Sequence, residues 1–138
     1  MDRYRAVALA ERLQPLDART EADIRAMVAS ARSVTVIVRD ADCPRSIANP
    51  FTFEERVEML RAAFPDEMAS GSLRAAPASS HGYDDRARAL AILHAAKAAA
   101  GSEESLFSGL TSEEAEAASV RLAHPLTPPG APAGSFEL

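Results

Sequence analysis

The chain reads as an α/β protein built on a parallel sheet, and three observations carry that reading. Residues 33–40, SVTVIVRD, gather Val34, Val36, Ile37 and Val38 into a run that stops at two charges, the pattern of a buried strand. Ahead of it, Ile24, Met27, Val28 and Ala31 recur at helical spacing, and before them residues 4–10 form a short apolar run. Strand, helix, strand in that order predicts a βαβ crossover, the connection that parallel strands require.

The remaining elements follow in order. A loop over residues 41–51 leads into the most strongly marked helix. Thr52 stands as its N-cap and Glu55 three places on as the carboxylate that reaches back, a capping box. Phe53, Val57, Leu60 and Phe64 then make one apolar stripe, and Pro65 closes the segment. Residues 72–78, SLRAAPA, predict a weak third strand with Pro77 at its end. Residues 84–100 predict a long helix, its buried face drawn through Ala87, Leu90, Ala91 and His94, with Gly101 as the stop. A short fourth strand is expected within SLFSGL, and a second capping box between Thr111 and Glu114. A fifth strand is expected in SVRLA, residues 119–123. Residues 1–123 thus form one domain with a sheet of about five strands, and the Pro- and Gly-rich residues 124–138 an irregular tail.

Composition narrows the function classes. The aromatic fraction is 5% and Trp is absent, so the core must be built mainly from Ala, Leu and Val. A formal net charge of -5 gives no overall attraction to nucleic acid or an anionic membrane, though a nucleotide needs only a local cationic patch. The single Cys43 excludes an intramolecular disulfide and a thiol zinc cluster, which suits a reducing cytoplasm. No stretch approaches the roughly 18 apolar residues of a membrane span, and the N-terminus lacks a signal-type apolar core. His81, His94 and His124 share no ligand spacing, so no metal site is expected, and the glutamates at 103, 104, 113, 114 and 116 read as a solvated acidic face.

In a parallel α/β sheet, ligands bind beyond the carboxyl ends of the strands. The informative loops are therefore residues 11–20, 39–51 and 79–83. Taken alone, residues 49–56 are a well-made helix start. Thr52 and Glu55 cap, Phe53 and Val57 pack, and Pro50 stiffens the loop, while Arg45, Asn49 and Arg56 are left without a packing reason.

Those residues match a known pattern. VTVIVRDADCPRSIANPFTFEERVEML resembles the second strand, loop and helix of nicotinamide mononucleotide (NMN) adenylyltransferases, most closely those of the archaeal type and those fused to a Nudix domain in bacteria. Arg45, Ser46, Asn49, Pro50, Phe51, Thr52, Glu55 and Arg56 are in register. ERLQPLDART is similar to that family's Gly-Arg-Phe-Gln-Pro-Phe/Leu-His-x-Gly-His through Arg12, Gln14, Pro15 and Leu16, and Tyr83 to Asp85 to its Tyr-Asn-Asp. The resemblance spans about residues 4–100 and implies a Rossmann-like nucleotidyltransferase fold. It also implies a nucleotide site on Arg12, Gln14, Arg39, Arg45, Asn49, Thr52, Arg56, Ser80 and Tyr83 for ATP, NMN or NAD.

The departures fall on the phosphate site. In the family, the two histidines open the first helix and bind phosphates; here Asp17 and Thr20 hold those places and Arg19 the glycine's. An ionised Asp accepts hydrogen bonds only, and it repels phosphate. Arg39 and Asp40 stand for the Gly-Ser after the second strand, Ser80 for an Asp and Arg88 for a Trp. The C-terminal Ile-Ser-x-Thr-x-x-Arg motif and the Nudix box are absent. The resulting expectation is a degenerate adenylyltransferase-like domain that has lost catalysis and keeps nucleotide or partner binding. Two rivals stand beside it. One is an active transferase using magnesium and ATP, with Arg12 and Arg39 replacing the histidines. The other is a structural module that self-associates as a homo-oligomer.

Overall fold

A computed structural model describes residues 4–81, 84–100, 105–108, 111–118 and 136–137. The elements are β1 (Tyr4–Glu11), α1 (Ala18–Ser30), β2 (Ala31–Val38), α2 (Phe53–Ala63), α3 (Pro65–Ser70), β3 (Leu73–Pro77), α4 (Asp85–Ala100), β4 (Ser105–Ser108), α5 (Ser112–Ala117) and β5 (Phe136–Glu137). They form one five-stranded sheet in the order β3-β2-β1-β4-β5. The first four strands are parallel, and β5 runs antiparallel to β4. The Rossmann-like α/β fold expected from the sequence is therefore present. The chain steps outward from β1 to β3, then returns to the other side of β1 to add β4, so the topological switch lies between β1 and β4.

Period-two alternation sorts the strand residues into two apolar layers. Val7 and Leu9 of β1 and Val34, Val36 and Val38 of β2 pack with Ile24 and Met27 of α1, Leu60 of α2 and the adjoining Phe64. Ala8 and Ala10 of β1 and Ile37 of β2 face the other way, onto Ala89, Ile92 and Ala96 of α4. The first layer is made of branched and aromatic side chains and the second largely of alanine, so α4 covers a thin, small-residue core. Arg25 of α1 closes the first layer from outside, its guanidinium 4.8 Å from the Phe64 ring centre.

Four expectations change. Pro65 does close α2, but it also opens α3 from the first helical position, where a missing N–H costs nothing. That short helix ends at Gly71 in the left-handed conformation, φ +84°. The buried face of α4 is Ala89, Ile92 and Ala96, and Leu90, placed on the buried face by its spacing, is 43% exposed. Alanine carries so little apolar signal that Leu90 dominated the pattern, although the small side chains are what let the helix approach the sheet. Arg56 lies inside the α2 stripe and is fully buried. Lastly, the fifth strand comes from Phe136–Glu137, within the tail expected to be irregular, whereas the expected strand at 119–123 lies outside the described residues.

The exchanged face of α4 has a measurable consequence. Ile92→Val should lower unfolding stability by about 1 kcal/mol, whereas Leu90→Ala should stay within about 0.5 kcal/mol of the parent. Urea denaturation of both variants checks this, and the reverse ranking would restore the face drawn through Leu90.

No helix among the described residues is long and apolar enough to cross a membrane.

Candidate functional site

The strand ends are zipped before the loops diverge. The Arg39 amide donates to the Glu11 carbonyl at 2.9 Å, and the Ala78 amide donates to the Val38 carbonyl at 3.0 Å. Beyond them opens a crevice of about 500 Å³ lined by Arg12 after β1, Arg39, Asp40, Cys43 and Asn49 after β2, Ser80 after β3, and Asp85 and Arg88 on α4. This is the place in a parallel α/β sheet where ligands bind.

Its floor is held by Arg56. The guanidinium donates to the carbonyls of Arg12 (3.0 Å), Arg39 (2.7 Å), Asp40 (3.1 Å) and Thr52 (3.2 Å), tying the loops after β1 and β2 to the start of α2. Leu13 and Asp40 both sit at positive φ, +53° and +54°, next to the carbonyls that Arg56 gathers. A left-handed turn is uncommon in a branched residue such as Leu13 and is sustained by its surroundings. Burial pulls the Arg56 pKa below its ordinary value, with the nearby Asp40 charge opposing.

The wall is the loop that resembles the Asn-Pro-Phe-Thr pattern, and nearly every polar group in it has a partner. Gln14 meets the Phe51 backbone in both directions, its amide N–H donating to the carbonyl at 3.0 Å and its Oε1 accepting the amide at 2.9 Å. Arg45 donates to the Pro50 carbonyl at 2.9 Å and pairs with Glu55 at 3.0 Å. The Ser46 hydroxyl accepts the Asn49 amide, and the Ser46 amide donates to the Asn49 carbonyl. Thr52 and Glu55 form the expected capping box, and the Thr52 amide is the first cause of a lowered Glu55 pKa, ahead of Arg45. Arg12 crosses from the other loop, donating to the Ala48 carbonyl at 2.8 Å and to Asn49 Oδ1 at 2.7 Å, and lies 3.7 Å from Asp40.

The expected site residues therefore separate. Arg12, Arg39, Asn49 and Ser80 come together on the crevice. Gln14, Arg45 and Thr52 brace the wall, and Arg56 is engaged beneath it. Tyr83 lies outside the described residues. At the helix start, Asp17 caps α1 by accepting the Thr20 amide at 2.8 Å, and that bond is the first cause of its lowered pKa. Arg19 is exposed and Thr20 is buried. Neither Asp17 nor Arg19 lines the crevice, so it is not filled from that side.

The electrostatics of the two ends differ. Beside α1, burial and then the charges of Asp17 and Asp23 raise the pKa of Glu11. Three carboxylates therefore crowd the place where the resemblance implies phosphate-binding histidines. At the other end Arg39 grips Glu114 of α5 in a fork, 2.6 and 2.9 Å, and Arg88 adds a bond at 3.2 Å; Arg88 also pairs with Asp85. Glu114 is only 1% exposed. Burial pushes its carboxyl pKa up, but the hydrogen bond from Arg39, the Thr111 amide, the Arg39 charge and the hydrogen bond from Arg88 outweigh that and bring it to about 2.

Glu114 thus leaves the solvated acidic face in which the sequence had placed it. The Thr111 capping box was legible and is present. Its partnership with Arg39, 75 residues away in the chain, has no local signal. Asp40, Asp85 and Arg88, each at a position that the resemblance had marked as a match or a departure, also line the crevice. The residues do not fit a metal cage: Asp40 and Asp85 each face an arginine, and the described residues hold no group of three side chains able to ligate a cation.

No protein-family model and no curated protein matches the chain. Solved structures do. A bifunctional NMN adenylyltransferase/ADP ribose pyrophosphatase from Francisella tularensis superposes with a TM-score of 0.62 at 18% identity, over 74% of this chain and 30% of that one. The structure of such a protein from the same organism complexed with AMP and a manganese ion gives 0.67 at 18% identity, over 83% and 34%. The chain spans about a third of the length of these neighbours, and the likeness establishes that it shares their Rossmann-like α/β fold.

Proposed function

We propose that the chain is a degenerate NMN adenylyltransferase-like domain that has lost adenylyl transfer and retains a crevice for a nucleotide. The observation that carries this reading is Asp17. At the position where the resemblance implies a phosphate-binding histidine, an ionised carboxylate caps α1 and Glu11 and Asp23 stand close by. Transfer of a nucleotidyl group needs donors and positive charge around the phosphates. The α1 end instead gathers three carboxylates, against which the Arg39 and Arg19 charges are the smaller influence on Glu11.

What remains supports binding. Arg12 and Asn49 form a preset pair on the crevice, held by a loop whose hydrogen bonds are already made, so little ordering would be required of the protein. A neighbour of the same fold is known complexed with AMP, which is consistent with a nucleotide as the occupant. Magnesium would come with the nucleotide's phosphates, since the described residues make no cage of their own.

Calorimetric titration with ATP, NMN and NAD, each with magnesium, tests the reading, together with a product assay for NAD formation from ATP and NMN. The expected result is micromolar binding of one of the three, weakened about tenfold or more by Arg12→Ala, and no product. Product formation that disappears in Arg12→Ala would show a working enzyme and sink the proposal. Absence of heat with all three would favour an interaction module instead.

A further inference from the structure

Arg39 and Arg88 line the crevice, yet Arg39 and the Nε of Arg88 point at a buried carboxylate, while Arg88 also pairs with Asp85. Arg39 presents both terminal nitrogens to the Glu114 carboxylate and Arg88 its Nε, and the Thr111 amide donates to it as well. A bidentate fork on one arginine with a second arginine alongside is also how proteins hold a phosphate. Glu114 therefore stands where an anionic ligand's oxygens would be recognised. It comes from α5, a helix of six residues that is too short to persist undocked.

Partial exposure matters here. The Arg39 and Arg88 side chains are 15% and 21% exposed, while that of Glu114 is 2% exposed, so the arginines reach the crevice and the carboxylate lies behind them. Its single negative charge offsets one of their two at a distance where little water intervenes, and Asp85 stands against Arg88 from the crevice side. We propose that Glu114 is an internal counter-ion masking a two-arginine anion site, which binds pyrophosphate-type oxyanions once α5 withdraws it. The inference rests on the reading of the crevice as a ligand site, and it names α5 as the element that controls its cationic end.

Glu114→Gln removes the charge while keeping the size, an acceptor for the arginines and a side chain able to complete the α5 capping box. Calorimetric titration of the full chain with inorganic pyrophosphate at low ionic strength should show the Gln variant binding about tenfold tighter than the parent, or better. Adding Arg88→Gln should abolish that gain. Thr111→Ala, which loosens the α5 start without touching either arginine, should move affinity the same way by a smaller factor. A Gln variant that is folded by circular dichroism and has parental affinity overturns the proposal, as does a gain that survives Arg88→Gln. Should the Gln variant fail to fold, Thr111→Ala decides: a gain supports the counter-ion and no change overturns it. The two readings separate in the same experiments. Nucleotide binding by the parent alongside a pyrophosphate affinity that Glu114→Gln leaves unchanged keeps the nucleotide site standing and removes the counter-ion. No nucleotide heat alongside a pyrophosphate gain does the reverse.

Discussion

Arg56→Met should be among the most damaging single substitutions in this chain, lowering unfolding stability by about 3–5 kcal/mol. Methionine fills most of the volume, so the loss isolates the polar role. In the parent, a fully buried guanidinium satisfies the carbonyls of Arg12, Arg39 and Asp40 from two different loops, as well as Thr52 from its own helix. Without it, three inter-element bonds vanish and carbonyls are left facing an apolar side chain. The left-handed turns at Leu13 and Asp40 also lose what gathers them, and each such turn costs on the order of 1 kcal/mol or more. Arg56→Lys should fall between, because an ammonium is one compact point of charge and cannot span carbonyls that a planar fork reaches. Urea midpoints give the stability change, and limited proteolysis should find new cleavage within residues 39–51. A midpoint within about 0.5 kcal/mol of the parent, with the loop still protected, would contradict the clamp. Nucleotide affinity should fall in both variants, since Arg12 and Asn49 hang from the loops that Arg56 ties.

This clamp marks the limit of what the chain reveals about itself. The β-branched run of β2, the crossover order and both capping boxes announce themselves through neighbours in sequence, and all of them are present. Arg45, Asn49 and Arg56 also stood out, as residues that a helix start does not explain. Their actual partners are the Pro50 carbonyl and Glu55, Arg12, and three loop carbonyls. An arginine that recognises a ligand and one that holds a loop are written with the same letter, and only three-dimensional closure distinguishes them. The same is true of Glu114, one of five glutamates with similar surroundings in sequence, of which this one is buried under two arginines. In α4 the difficulty is opposite. Ala89 and Ala96 pack closely because they are small, and small residues leave the weakest hydrophobic trace. The site was therefore legible as a location, beyond the ends of β1 and β2, more than as a set of roles.

The acid limb of the stability profile should report Glu114 directly. Its folded pKa, about 2, lies below the ordinary carboxyl value of 4.5. A depressed pKa means that the unfolded chain takes up the proton first, so this group's contribution is fully present above pH 4.5 and is lost as pH falls toward 2. A shift of that size corresponds to at most about 3 kcal/mol, and the water reaching Arg39 and Arg88 at 15% and 21% exposure brings the figure toward about 2. Glu114→Gln should consequently be about 2 kcal/mol less stable than the parent at pH 7, with the two profiles converging between pH 4.5 and 2. Asp17 and Glu55, whose pKa values are also lowered, contribute equally in both proteins, so the difference curve isolates the buried carboxylate. Urea denaturation at half-unit steps of pH measures it. Parallel profiles, offset by the same amount at pH 3 as at pH 7, would mean that the Gln variant loses packing and not charge. Convergence would establish that the pair of arginines sees a full negative charge at neutral pH, which is the condition under which a phosphate has to compete with α5 for them.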